Sequence, residues 1–356
     1  MKTYIHYLLI SIVVFLISSC ASKDLPSDPL DYFKSPTVVL EPSAIITLNT
    51  PILQGSEMQL LYDSIAAIKM SKVEKCLALV NINTGEVMRE LITQGQGPGE
   101  VIAIFFCPQP DKNKLLIYEP NLRTVFNIDC NKAITDDKYM MEPIVKFEYR
   151  ALSFLPVDTF FVASGLRTVD NRFQIYDSKG ELITSCLNYD KADMYSHVPD
   201  RVYSTGFQGI HAIHPSGEKF VFAASLSGSF QIFNFTPNEI TLHKDLTFNN
   251  PVITCDENVC AVSLKAIAPA DAIASGDKYF YVLYSGNTLE EYVNKFASNN
   301  LLVFDWDGNP VKRYVLQQPI TTFAINSTGD KLYGIADMYD VANMPEGIAI
   351  VQYDLE

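Results

Sequence analysis

From about residue 37 onward the chain predicts an all-β fold built from repeated four-stranded sheets. Three observations predict it. Short apolar runs rich in Ile, Val, Phe and Tyr are punctuated by Asp, Asn, Gly and Pro, with little helical periodicity. A strand ending in a polar turn recurs as VNINTGE (Val80 to Glu86), FNIDCNK (Phe126 to Lys132), IYDSKGE (Ile175 to Glu181), FNFTPNE (Phe233 to Glu239) and VFDWDGN (Val303 to Asn309). The sixth position of each copy is Gly85, Asn131, Gly180, Asn238 or Gly308, spaced 46, 49, 58 and 70 residues apart. Gly and Asn most readily take the left-handed conformation of a tight hairpin, so each copy reads as the link between third and fourth strands.

A period of this size is that of a β-propeller blade, ~40–50 residues before insertions. A second repeated element sets the phase. PDKNKLLIY, PVDTFFVAS, PSGEKFVFA, SGDKYFYVL and STGDKLYGI each lead from a polar corner into an apolar strand, as the link between first and second strands should. At the C-terminus, IAIVQYDLE aligns Tyr353-Asp354 with Phe304-Asp305, so the last blade stops before its hairpin and lacks an outer strand. Ala44 to Leu48 (AIITL) has no blade of its own. Pairing it with the last blade closes a six-bladed ring and removes an exposed edge. The blades fall at about 50–91, 100–140, 148–190, 209–248, 264–315 and 320–356, within a propeller domain 37–356.

The first twenty residues, MKTYIHYLLISIVVFLISSC, hold one Lys, an apolar run from Tyr4 to Ile17 and small residues before Cys20. That run suits a secretory signal and is shorter than the ~20 residues of a spanning helix. Residues 1–19 read as a lipoprotein signal peptide, and 20–36, with Pro26, Pro29 and Pro36, as an extended lipidated tether. Of the seven cysteines, Cys255 and Cys260 in CDENVC are close enough to close a loop as a disulfide, while Cys76 and Cys107 lie in strand-like apolar runs as small hydrophobes.

Together, ISSC ending at Cys20, GQGPGE (Gly95 to Glu100), LYSGN (Leu283 to Asn287) and VFDWDGNPVKRYVL (Val303 to Leu316) resemble the TolB-like, six-bladed β-propeller lipoproteins of Gram-negative bacteria. The resemblance implies cleavage before Cys20, acylation of that residue (palmitate among the chains) and an outer-membrane lipoprotein on the periplasmic or cell-surface side. It brings no established catalytic residues.

Chemistry-bearing motifs are sparse. GQGPGE lacks the Lys and Ser/Thr of a phosphate loop, Pro98 removes an amide, and no helix follows; it reads as the tight link between blades 1 and 2. His211 and His214 in HAIH, three apart on a strand, point to opposite faces and cannot share a metal. GLRT (Gly165 to Thr168) echoes NLRT (Asn121 to Thr124), placing Arg123 and Arg167 near the turns between second and third strands as candidate anion contacts. No nucleophile elbow or calcium loop is visible. First-to-second and third-to-fourth turns read as short throughout. The opposite end carries the longer segments: about 250–263, Ser285 to Asn300 with a Thr288/Glu291 capping box opening a helix from Leu289 to Phe296, and Met338 to Gly347.

The 356 residues carry 27 Lys+Arg against 41 Asp+Glu, a formal charge of −14, and no basic cluster. That excludes a nucleic-acid binder, which needs surplus Lys and Arg on one face. With 48% hydrophobic residues the chain is not a disordered polymer. The expected function is a lipid-anchored, monomeric envelope module binding a protein, peptide or glycan, without a cofactor. The alternative is a propeller-type hydrolase, lactonase or lyase with a metal at the channel mouth, and a weaker third reading is an assembly factor resembling periplasmic TolB.

Overall fold

The computed structural model describes residues 25–355 except 72–73, 98, 166–169, 192, 225–228, 250–252, 268–269, 293–296 and 340–344. Six antiparallel sheets succeed one another along the chain. Blade 1 comprises Gly55–Leu61, Ile65–Met70, Lys75–Asn81 and Glu86–Thr93; blade 2 comprises Phe105–Phe106, Leu115–Glu119, Thr124–Ile128 and Glu142–Lys146. Blade 3 is built from Ser153–Val157, Phe160–Ser164, Phe173–Tyr176 and Leu182–Cys186, and blade 4 from Gly209–Ile213, Lys219–Ala224, Ser229–Thr236 and Glu239–Thr247. Blade 5 takes Ala270–Ser275, Tyr279–Tyr284, Ser298–Asp305 and Pro310–Ile320, and blade 6 takes Thr322–Ile325, Lys331–Tyr339 and Pro345–Asp354. In each blade the first strand is innermost and its outward neighbours follow in order. The six-bladed propeller expected from the repeats is what the chain forms.

Burial explains the sequence pattern. Blades stand radially, so a middle strand is covered on both faces and reads as a continuous apolar run. Lys75–Asn81 (KCLALVN) is buried at five consecutive positions, whereas the outer strand Glu239–Thr247 (EITLHKDLT) is mostly exposed. The core is accordingly divided into one cluster per junction. Leu77, Leu79, Leu115 and Ile117 join blades 1 and 2, Phe154 and Tyr118 blades 2 and 3, and Phe173, Phe220 and Phe233 blades 3 and 4. Phe230, Phe280 and Phe304 join blades 4 and 5, Leu283, Leu301 and Val351 blades 5 and 6, and Ile68, Ile335 and Ile350 blades 6 and 1.

Closure follows the expected route. Ala44–Thr47 pairs antiparallel with the last strand, Ala44 opposite Gln352 and Thr47 opposite Ala349, and supplies the missing outer strand of blade 6. Two features of the N-terminal segment go beyond the sequence reading. Val38–Leu40 adds a fifth, parallel strand to blade 5, Val38 opposite Tyr314. Residues 29–33, expected within an extended tether, are docked instead. Pro29–Tyr32 forms a 3-10 turn capped by Asp28, whose carboxylate accepts from the Leu30 amide at 2.8 Å. Tyr32 meets Phe248 edge-on (5.4 Å) and Phe33 meets Phe304 edge-on (5.1 Å), so aromatic burial at the blade 4–5 junction outweighs the chain freedom of a linker.

The turn reading needs two corrections. Gly85, Gly180 and Gly308 have the expected positive φ (74°, 81° and 80°), but Asn131 and Asn238 do not. Asp129 caps a helix, Cys130–Thr135, by accepting from the Lys132 amide, so Asn131 lies inside a helical turn. At Asn238 the turn is closed by Thr236, whose Oγ1 accepts from the Glu239 amide at 3.1 Å, and no left-handed residue is needed. The helix also makes the third-to-fourth link of blade 2 long, contrary to the expectation of short turns throughout that end.

Two outcomes test this architecture. Deleting residues 38–47 strips an outer strand from blades 5 and 6 and uncovers the blade 6 edge; the chain should lose its cooperative thermal transition or melt at least 10 °C lower by circular dichroism, a drop that corresponds to about 5 kcal/mol or more for a domain of this size. Tyr353, fully buried, donates to the Gln318 carbonyl at 2.7 Å and accepts from its amide at 3.1 Å. Tyr353→Phe leaves both backbone groups unpaired, and urea unfolding should show a loss of about 1–3 kcal/mol.

Candidate functional site

Each inner strand has a strand neighbour on one side only, because its sheet continues outward, and turns its other backbone edge to the centre of the ring. Six such edges enclose a central channel of about 540 Å³, lined by Ser56 to Leu60, Phe105 and Phe106, Leu152 and Ser153, Gln208 to Ala212, Asp271 to Ser275, and Thr322 to Ile325. The side chains that reach it are largely engaged. Glu57 Oε2 accepts from the Phe106 amide at 3.1 Å, and its other oxygen pairs with Lys69. Gln59 Nε2 donates to the carbonyls of Lys112 (3.0 Å) and Lys114 (2.8 Å). Asp271 accepts from Ser298. Lys112, at the short-turn end, is held below the ordinary lysine range by burial.

His211 is the exception. It is 5% exposed, its Nδ1 lies 3.3 Å from Ser153 Oγ, and its Nε2 has no hydrogen-bond partner among the described residues. Burial, with the Arg172 charge as a second cause, pushes its pKa down to about 3, so the ring is neutral at physiological pH. His214 faces the other way: its Nε2 is 3.0 Å from the Asp277 carbonyl oxygen and its ring is edge-on to Trp306 at 4.9 Å. The two histidines therefore serve different blade junctions. Among the described residues no group of three or more His, Cys, Asp or Glu side chains is placed to hold a metal ion.

The larger elaborations stand on the end where blades connect. The CDENVC region forms a small hairpin, Ile253–Cys255 with Cys260–Val262, and Cys255 and Cys260 are joined by a disulfide across it. Beside it lies a segment that sequence reasoning passed over, residues 187–208 between blades 3 and 4, with a 3-10 turn at Asp193–Tyr195 and a helical turn at Asp200–Tyr203. The two share a satellite core of Tyr189, Val198, Val202, Tyr203, Ile253 and Cys260. Two hydrogen bonds lock them together, Tyr195 OH to the Ile253 carbonyl at 2.5 Å and the Cys260 amide to Thr205 Oγ1 at 2.7 Å, while Lys191 Nζ to Asp200 Oδ1 at 2.6 Å braces the segment itself. The capping box opens a short helix, Leu289–Tyr292, with the Thr288 amide donating to Glu291 Oε2 at 2.9 Å; residues 293–296 of the expected helix lie outside the described residues.

Of the two arginines singled out from the sequence, Arg123 has a positive φ (57°) and donates from Nη1 to the Glu148 carbonyl, tying the blade 2 turn to the link into blade 3. Arg167 lies outside the described residues, as does Cys20. GQGPGE is filled by its own chain: Glu100 Oε2 accepts from the Gly97 amide at 2.8 Å, and a Cβ on Gly95 would come within 2.0 Å of that same oxygen. Cys76 and Cys107 are buried in the blade 1–2 and 2–3 cores, and burial raises both thiol pKa values.

The arginine with an unusual environment is Arg172, which entered no sequence motif. It is 5% exposed at the blade 3–4 junction, surrounded by Phe222 (4.6 Å), Phe233 (4.9 Å), Phe173 (5.1 Å), Phe207 (5.3 Å) and Tyr189 (5.4 Å). Its Nη2 has no hydrogen-bond acceptor among the described residues. Burial lowers its pKa to about 10. Desolvating the ion costs several kcal/mol, which the rings, at roughly 0.5–2 kcal/mol each, and the negative charge of nearby Asp245 offset.

A radial ring of six sheets around an edge-lined channel, with its elaborations on one end, defines a six-bladed propeller with a ligand-sized opening. The sequence profile of the family described as TolB-like 6-blade propeller-like matches residues 60–328, and the chain belongs to that family. No curated protein matches it. Among solved structures it is similar to a protein of Bacteroides fragilis described as exported (14% identity, TM-score 0.55, covering 90% of this chain and 100% of that one). It is also similar to a calcium-binding regucalcin of Agrobacterium tumefaciens (14% identity, TM-score 0.49, covering 90% of this chain and 98% of that one). At these identities the likeness is one of fold.

His211 makes the channel wall sensitive to acid. Below its ordinary pKa of 6.5 the unfolded chain takes up a proton that the folded chain refuses until about pH 3. Stability is therefore lost as pH falls through that window, by up to about 1.4 kcal/mol per pH unit from this group. Subtracting the urea-unfolding profile of His211→Gln from that of the wild type should isolate this slope between pH 6.5 and 4; parallel profiles would contradict the assignment.

Proposed function

We propose that this protein is a lipid-anchored binding module of the bacterial envelope, monomeric, whose connecting end and channel mouth receive a protein, peptide or glycan without transforming it. The anchor in this reading is acylated Cys20, in an outer-membrane lipoprotein facing the periplasm or the cell surface. The observation that carries the binding assignment is the wall of the channel. It is made of backbone edges and side chains already committed to neighbours, and its one buried histidine is held neutral. Such a wall offers many hydrogen-bonding groups for recognition.

Docking of residues 29–33 supports close attachment. Leu25 already packs against the blade 4–5 core, so only residues 20–24 separate the lipid site from the propeller surface, a reach of at most ~18 Å when fully extended. Cys20→Ala should abolish palmitate labelling and move the protein from the membrane pellet to the soluble fraction; unchanged partitioning would overturn the anchor. For the binding assignment, purified protein should retain ligands from a glycan and peptide array with no turnover detectable by mass spectrometry, and cleavage of any retained ligand would overturn it.

A further inference from the structure

We propose that the Cys255–Cys260 disulfide is a site of thiol–disulfide exchange with a dithiol, and that its oxidation state sets the order of the connecting-end lobe and of the channel wall that the lobe adjoins. The proposal depends neither on the anchor nor on what the channel binds.

The bond is local. It closes a loop of four residues, Asp256 to Val259, inside the sheet of Ile253–Cys255 and Cys260–Val262, which pairs with no blade among the described residues. Cys260 belongs to the satellite core with Val198 and Tyr203, and Cys255 packs against that core rather than into a blade junction. Reduction therefore leaves the six sheets and the ring closure as they are. An isolated two-stranded hairpin is marginally stable in water, so this one depends on the disulfide and on the segment it touches.

The segment before blade 4 is gathered around the same bond. The Cys260 amide donates to Thr205 Oγ1 at 2.7 Å, and that hydroxyl lies 3.3 Å from the Cys260 carbonyl oxygen. Tyr195 OH donates to the Ile253 carbonyl at 2.5 Å. A Cβ on Gly206 would come within 2.8 Å of the Cys260 Cβ, so the backbone of the segment rests directly on the cysteine. The contact continues to the channel: Gln208, which lines it, donates from Nε2 to the Thr205 carbonyl at 2.8 Å. Breaking the bond enlarges the set of open hairpin conformations, and each opening withdraws the partners of Thr205 and Tyr195.

Exchange can reach this pair. Cys255 is half-buried, whereas the thiols of Cys76, Cys107, Cys130 and Cys186 are buried. A thiolate of the dithiol attacks Cys255 Sγ, and Cys260 leaves as a thiolate and takes up a proton. The second thiol of the reagent then displaces Cys255 from the mixed disulfide. The protein pair gains two electrons and two protons, and the dithiol is oxidised to its own disulfide.

Dithiothreitol, added to the purified protein without denaturant, provides the test. Alkylation should then add mass to the peptides carrying Cys255 and Cys260 and not to those carrying the four buried thiols. Hydrogen exchange followed by mass spectrometry should quicken at least about tenfold in residues 189–208 and 253–262, while Lys75–Asn81 and Leu115–Glu119 keep their rates. A Cys255→Ser/Cys260→Ser double variant should show the fast pattern without reductant and no further change with it. If that variant fails to fold, the reduced wild type alone decides. A bond that dithiothreitol leaves intact, lobe exchange that ignores loss of the bond, or acceleration spread equally over the blades would each overturn the proposal.

Discussion

Both faces of every blade must be covered, and on this constraint the rest of the structure depends. A sheet standing radially has no solvent face to hide, so its middle strands are apolar on both sides and its stability is shared with two neighbours. A row of such sheets would leave two naked faces at its ends; only a ring removes them. The chain meets this requirement by bringing Ala44–Thr47 to its own last strand, so that residues more than three hundred positions apart in sequence lie side by side. The N-terminal segment does more than close the ring. It crosses blades 4, 5 and 6 in turn, with aromatic contacts to Phe248 and Phe304, a parallel strand beside Tyr314, and finally the antiparallel pairing.

Ring closure also decides where function can reside. Burying both faces consumes nearly all side chains in packing and leaves two resources: the free inner edges, which form the channel, and the links at the ends. The links between blades have no strand geometry to satisfy, and here they grow into a small lobe of their own, with residues 187–208 and the Cys255–Cys260 hairpin sharing a core. Binding residues gather on such irregular segments because a rigid scaffold positions them without constraining their sequence.

The fold was legible because its determinants are local and repeated. Strand runs, glycine turns at Gly85, Gly180 and Gly308, and the unpaired C-terminal strand each leave a mark in a short stretch of sequence. What was not legible depends on partners distant in the chain. Asn131 carries the residue type of a hairpin turn, yet Asp129 beside it caps a helix, and both outcomes are consistent with the same seven residues. Val38–Leu40 became a strand because blade 5 offered a free edge, a fact absent from its own composition. The NLRT echo drew attention to Arg123, whose guanidinium is spent on a backbone carbonyl.

Arg172 illustrates the limit most sharply. In sequence it is one arginine before an apolar strand, FQIY, and nothing nearby distinguishes it from a surface residue at a strand start. Its character comes from rings on four separate strands and loops, Phe173, Tyr189, Phe207, Phe222 and Phe233, which meet only when blades 3 and 4 pack and the covering segment folds over them. The same burial acts on its neighbour His211, which loses its proton because it sits in a dry junction beside a fixed positive charge. One cation and one neutral imidazole, both enforced by blade packing, give this junction a polarity that the otherwise acidic chain shows nowhere in its sequence pattern. Function in such a propeller is thus written in the contacts between repeats, where the requirement to cover both faces places polar groups beside aromatic ones.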